Sequence, residues 1–172
     1  MKILIAEDNK DILALYKRAL EERGHRVVIT DNGQCCLNIY HKELQEITLN
    51  TNPSHHVQPF DAVILDYKMP KINGMEVAKE ILAINPHQRI IFASAYVEET
   101  LIDSIKQLNQ VVELLQKPFG QDVLIDTIED KEIYLELQKL NVNIDEIKAA
   151  NFRHEQLRKM LDFLKKSYEK SR

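Results

Sequence analysis

Cysteine is scarce in this chain, and the two that occur, Cys35 and Cys36, are adjacent. Neighbours of that kind rarely close a structural disulfide, and no Cys-x-x-Cys or Cys/His spacing suits a metal. They are expected to be small core or half-buried side chains on a helix. No run of eighteen or more apolar residues occurs, which removes the membrane-spanning helix from consideration. A signal-peptide pattern is missing as well, so the expected location is the cytoplasm. Glycine and proline are absent from Asn143 to Lys170, and nothing there stops a helix.

What is present is a 172-residue chain, long enough for one good core and an appendage. Its net charge of −4 is unevenly spread. Residues 153–172 hold 7 Lys/Arg against 3 Asp/Glu, a local +4, and residues 1–152 hold 16 against 24, a local −8. An acidic body repels nucleic acid. The basic tail either touches a phosphate backbone or acidic partner, or is a solvated helix face, the plainer reading.

The first three quarters alternate strand and helix patterns. Strands are expected at Lys2–Ala6, Arg26–Thr30, Asp61–Leu65, Arg89–Ala93 and Val111–Leu115. Helices are expected at Lys10–Arg23, Gln34–Leu44, Gly74–Ile84, Val97–Leu108 and Gln121–Leu140. In the first helix Ile12, Leu13, Leu15, Tyr16, Ala19 and Leu20 recur at helical spacing, and Gly24 closes it. Strands apolar on both faces and separated by helices argue for a parallel sheet covered on both sides. Ligands of such sheets bind beyond the carboxyl ends of the strands. A polar connection, Gln45–Pro59, carries His55 and His56, and a loop of that length is usually functional or mobile.

The residues at those strand ends carry the chemistry. The run ILIAEDN (3–9) ends in two like charges, Glu7 and Asp8. Such a pair is costly to desolvate unless something positive sits between its members. Either the acids are solvated and merely cap the next helix, or they hold a cation. Asp66 follows the third strand, Ser94-Ala95 the fourth and Lys117-Pro118 the fifth. Three carboxylates converging at a sheet edge make a hard-oxygen site suited to Mg²⁺.

The acidic pair in IAEDN, the stretch LDYKMPKINGME around Asp66, the SA pair at 94–95 and the KPF triplet at 117–119 resemble the receiver domain of two-component response regulators. The resemblance covers roughly residues 1–128. It implies an α/β fold, a doubly wound five-stranded parallel sheet of the flavodoxin/CheY-like order 2-1-3-4-5. A helical extension over residues 129–172, the prolonged fifth helix and one further long helix, is added to it. It implies Asp66 as phosphoacceptor, and Mg²⁺ held by Asp8, Asp66, the backbone carbonyl of Lys68 and, through water, Glu7. Lys117 and Ser94 then attend the phosphoryl group, Ala95 leaves room for it, and Pro118 follows the lysine through a cis peptide. The protein is thus a signalling phosphoacceptor that promotes its own phosphoryl transfer, not an enzyme acting on a separate substrate. The phosphoryl source is a sensor histidine kinase or a phosphotransfer protein. Output passes through the face of the fourth helix, fifth strand and fifth helix.

Several positions depart from the pattern. Leu114 stands where many receivers carry an aromatic three places before the lysine, which puts the usual switch coupling in question. Tyr96 is either a substitute or a rim residue. Lys68 and Tyr96 are bulky where the family borders the phosphoryl group, and slow autodephosphorylation is expected. In the tail, Ile147, Ala150, His154, Leu157, Leu161, Leu164 and Tyr168 follow a 3-4 spacing. The leading expectation is a homodimer through that helix, with docking on the chain's own receiver second. The segment RHEQLRK around His154 resembles a kinase phosphoacceptor histidine, which gives the alternative of a phosphotransfer relay. No recognition helix suits DNA, and the downstream protein partner has no signature.

Overall fold

A computed structural model describes residues 1–50, 58–95, 112–140 and 154–170 of the chain. The five strands are β1 (Lys2–Ala6), β2 (Arg26–Thr30), β3 (Ala62–Asp66), β4 (Ile90–Ser94) and β5 (Val112–Gln116). They form one parallel sheet in the order β2-β1-β3-β4-β5. This is the doubly wound order, and the central strands show why it forms. β3 (AVILD) and β4 (IIFAS) are buried along their whole length. A strand without a polar face is stable only with layers on both sides.

Alternate residues of these strands serve opposite faces. Leu4, Ala6, Val63, Leu65, Ile90 and Phe92 enter a core with α2 (Gly33–Asn50) and α3 (Gly74–Ile84). Ile3, Ile5, Ile64 and Ile91 are equally buried and point to the other face. Helix α1 (Lys10–Glu22) buries Leu13, Tyr16, Ala19 and Leu20 and leaves Leu15 exposed. Gly24 takes the left-handed φ of 82° that ends this helix. Cys36 is buried and Cys35 half-buried on α2, neither in a disulfide.

Helix α2 runs to Asn50, beyond the expected end at Leu44. Residues 45–50 lack an apolar stripe but also lack Gly and Pro, so nothing breaks the helix there. Its last turns are held locally, with Thr48 Oγ1 donating to the Leu44 carbonyl (2.7 Å) and Lys42 near Glu46 (3.8 Å). His55 and His56, the helix expected at 97–108, Tyr96 and the cap expected at Asn143 lie outside the described residues.

The chain divides into two compact units, residues 1–121 and 122–172. In the second, α4 (Gln121–Lys139) packs with α5 (His154–Lys170). Ile133 and Leu137 of α4 and Leu161 of α5 are buried together, with Leu140, Met160 and Leu164 at the margin. Arg158 pairs with Glu129 (3.4 Å) and Lys165 with Glu136. Both pairs are 29 residues apart in sequence, so the two helices run parallel. The leucine stripe expected as a dimer seam is therefore in part occupied within one chain. Leu161 and Leu164 lie against α4, while the side chains of His154 and Leu157 lie outside the described set.

Candidate functional site

The carboxyl edge of the sheet gathers the charged residues through ordinary backbone geometry. Glu7 N–H donates to the Thr30 carbonyl (3.1 Å), carrying the β1–β2 ladder one residue past β1. Asn9 then caps α1, its Oδ1 accepting from the N–H groups of Asp11 (3.0 Å) and Ile12 (3.1 Å). Its own N–H donates to Glu7 Oε1 (3.3 Å). The capping alternative for Asp8 thus fails, because Asn9 caps, and Asp8 stays exposed beside Glu7.

Asp66 is the last residue of β3 and is 8% exposed. Its Oδ2 accepts from the Lys68 N–H (3.1 Å), which fixes the carboxylate plane while the Lys68 side chain stays exposed. The following loop passes through Lys71 at a φ of 70°, a left-handed conformation that costs a residue with a Cβ roughly 1–2 kcal/mol. It ends in a capping box in which Asn73 and Glu76 satisfy each other's backbone. Gly74 N–H donates to the Tyr67 carbonyl (3.0 Å). A Cβ at position 74 would lie 2.2 Å from the Asp66 carbonyl oxygen, so only glycine fits behind the aspartate.

Lys117 arrives from β5, its N–H donating to the Ser94 carbonyl (2.8 Å), and its peptide to Pro118 is cis. Its ammonium lies 2.5 Å from Glu7 Oε2 and 2.9 Å from Asp66 Oδ1. Ser94 is buried at the end of β4, and Ala95 beyond it is exposed. Ligand oxygens of Glu7, Asp8 and Asp66 all lie within 4.8 Å of one another.

Three carboxylates against one ammonium leave an excess of negative charge. Burial pushes the Glu7 carboxyl above its ordinary value, against the pull of the Lys117 ammonium, and the nearby Asp66 charge adds to the rise. Burial alone would lower Lys117, but its hydrogen bonds to Glu7 and Asp66 outweigh that and raise it. Both directions describe a site that one lysine neutralises incompletely. An all-oxygen donor set with surplus negative charge fits a hard divalent cation.

Glu7, Asp8, Asp66 and Lys117 are thus brought together, with Ser94 joined to Lys117 through its backbone. Leu114 is half-buried against the core that α2 and α3 cover. Sequence reasoning missed Asn9 as the cap, Thr30 as the anchor of Glu7 and Gly74 as the space behind Asp66. Asn9 was legible, because Asn is a better cap than the acids' other duties allow. Thr30 acts through a contact between distant segments, and Gly74 through the way its own loop folds back on Asp66, so neither left a periodic signal.

Comparison with known proteins agrees with this arrangement. The family model described as "Response regulator receiver domain" matches residues 3–129. Response regulator receiver protein CpdR of Brucella abortus is 29% identical over 128 residues, covering 74% of this chain and 93% of that protein. Sporulation initiation phosphotransferase F of Bacillus subtilis is 30% identical over 127 residues, covering 74% and 90%. The solved N-terminal domain of an uncharacterized protein from Wolinella succinogenes shares the fold, with a TM-score of 0.62 and 22% identity over 88% of this chain and 99% of that one.

Proposed function

Because the chain belongs to the response regulator receiver domain family, we propose that Asp66 accepts a phosphoryl group from a sensor histidine kinase or phosphotransfer protein. The observation that carries this reading is the ammonium of Lys117 set between Glu7 and Asp66, with Asp8 completing the carboxylate cluster. An Asp66 oxygen attacks phosphorus, the bond to the donor breaks, and an acyl phosphate forms. Lys117 then exchanges a carboxylate partner for a phosphoryl oxygen, where its charge balances that of the transition state. The Ser94 hydroxyl donates to another phosphoryl oxygen. Mg²⁺ would be held by Asp8, Asp66, the Lys68 carbonyl and, through water, Glu7. When bound it supplies further neutralisation of the phosphoryl oxygens.

The protein is a signalling module rather than an enzyme with a separate substrate. Lys68, exposed beside Asp66, borders the phosphoryl group and slows its hydrolysis. Among the described residues no helix is long and apolar enough to cross a membrane, and we place the protein in the cytoplasm. Output goes through a protein partner rather than DNA. The packing of Leu161 and Leu164 on α4 favours a tail docked on its own chain over a homodimer seam. The relay reading, in which His154 also carries phosphate, rests on the sequence around it alone.

The test is labelling by a small phosphodonor such as acetyl phosphate. Asp66→Asn and Asp8→Ala abolish labelling, and Glu7→Gln weakens it. Label taken up by the wild type without a divalent cation would overturn the metal assignment.

A further inference from the structure

Phe119, two residues past Lys117, does not hang free at the sheet edge. Its ring stacks on Tyr16 of α1, with centroids 5.4 Å apart and planes 14° from parallel. Tyr16 is 5% exposed and sits on the buried face of α1 with Leu13 and Leu20. Burial, then the charges of Glu7 and Asp66, push its phenol well above the ordinary value. Helix α1 is itself fixed to the acidic cluster, because its cap Asn9 donates to Glu7. One helix therefore holds both an acid of the site and the loop that presents the lysine.

We propose that Tyr16 is a positioning residue for phosphoryl transfer, its ring clamping Phe119 so that the Lys117 ammonium stays between Glu7 and Asp66. The inference rests on Asp66 as phosphoacceptor. The lysine stem is long and loses rotamer freedom when its ammonium is held. Between Lys117 and α4, this ring pair ties the loop back to α1. A stacked pair is worth about 0.5–1.5 kcal/mol beyond area burial, enough to bias a loop without being needed for folding. The ring supplies the clamp and the hydroxyl is dispensable.

The test compares Tyr16→Leu with Tyr16→Phe in the full chain, using acetyl phosphate labelling and Mg²⁺ titration. Tyr16→Leu is expected to label about two- to tenfold more slowly, the worth of the stacked pair expressed as a rate. It is also expected to bind Mg²⁺ more tightly before phosphorylation, since a loosened ammonium no longer competes for Glu7 and Asp66. A merely destabilised fold would weaken both. Tyr16→Phe keeps the stack and is expected to match the wild type in both measurements. In a Lys117→Ala background, Tyr16→Leu should slow labelling no further, because the ring acts through the lysine. Wild-type labelling of Tyr16→Leu, equal loss in Tyr16→Phe, or an undiminished effect without Lys117 would each overturn the proposal. If the wild type itself fails to label on Asp66, the phosphoacceptor reading fails instead.

Discussion

Replacing Gly74 by alanine perturbs the aspartate from behind, without touching any charged group. The new Cβ would lie 2.2 Å from the Asp66 carbonyl oxygen and 3.0 Å from its carbonyl carbon, where ordinary contact begins at 3.4 Å. The atoms it meets are backbone, so no side chain can swing aside, and the end of β3 or the start of α3 must part by on the order of 1 Å. Overpacking of this kind costs about 1–3 kcal/mol. The helix propensity of alanine recovers up to about 1 kcal/mol of that. A shift of about 1 Å in the attacking carboxylate slows labelling by about a hundredfold. The assay is the acetyl phosphate labelling rate beside a urea midpoint. Gly24→Ala is the control, because a Cβ there meets open space and strains only a left-handed turn. It should cost comparable stability and leave labelling intact. If Gly74→Ala labels at the wild-type rate, the carbonyl behind Asp66 does not fix the nucleophile.

Four further outcomes are expected. Leu161→Ala removes a buried side chain from the α4–α5 contact and should cost about 2–5 kcal/mol of docking, read as faster proteolysis or amide exchange of α5; unchanged protection would place the helix elsewhere. Glu7 has a raised folded pKa, so the folded state binds that proton more tightly than the unfolded chain. Metal-free stability should therefore rise as pH falls from above the raised value towards 4.5, and Glu7→Gln should abolish this slope. Lys117 is raised above 10.5, so its contribution is complete below 10.5 and lost as pH climbs through its folded value, an alkaline arm absent from Lys117→Met. Leu114→Tyr should enlarge the phosphorylation-induced shifts in NMR spectra relative to the wild type, whereas equal shifts would make the missing aromatic unimportant.

The sheet was legible because its signal is local. Runs such as ILIA and AVILD are apolar on both faces, and each stops at a charged or polar residue that the topology carries to the same edge. The family pattern then ordered the strands. Helix α2 was cut short because an amphipathic stripe was required where only the absence of a breaker mattered. Of the two readings that the acidic pair raised, the hydrogen bonds at Asn9 remove the helix cap from the duties of Asp8. Heptad spacing of Leu157, Leu161 and Leu164 states that a partner is needed but not which one, since a second chain and α4 offer the same apolar surface. The contact of Tyr16 on Phe119 joins segments 103 residues apart, and that of Gly74 behind Asp66 depends on how the intervening loop folds back, so neither has a periodicity to betray it.

The central claim is that Asp66 carries the phosphoryl group, and the most direct measurement is the site and lability of the label. Wild-type protein treated with acetyl phosphate and Mg²⁺ should take up label that alkali removes, as an acyl phosphate requires. Phosphohistidine, by contrast, survives alkali. Mapping should place the label on Asp66, with none in Asp66→Asn and an undiminished amount in His154→Gln. Alkali-stable label, or label that persists in Asp66→Asn and disappears in His154→Gln, would contradict the account.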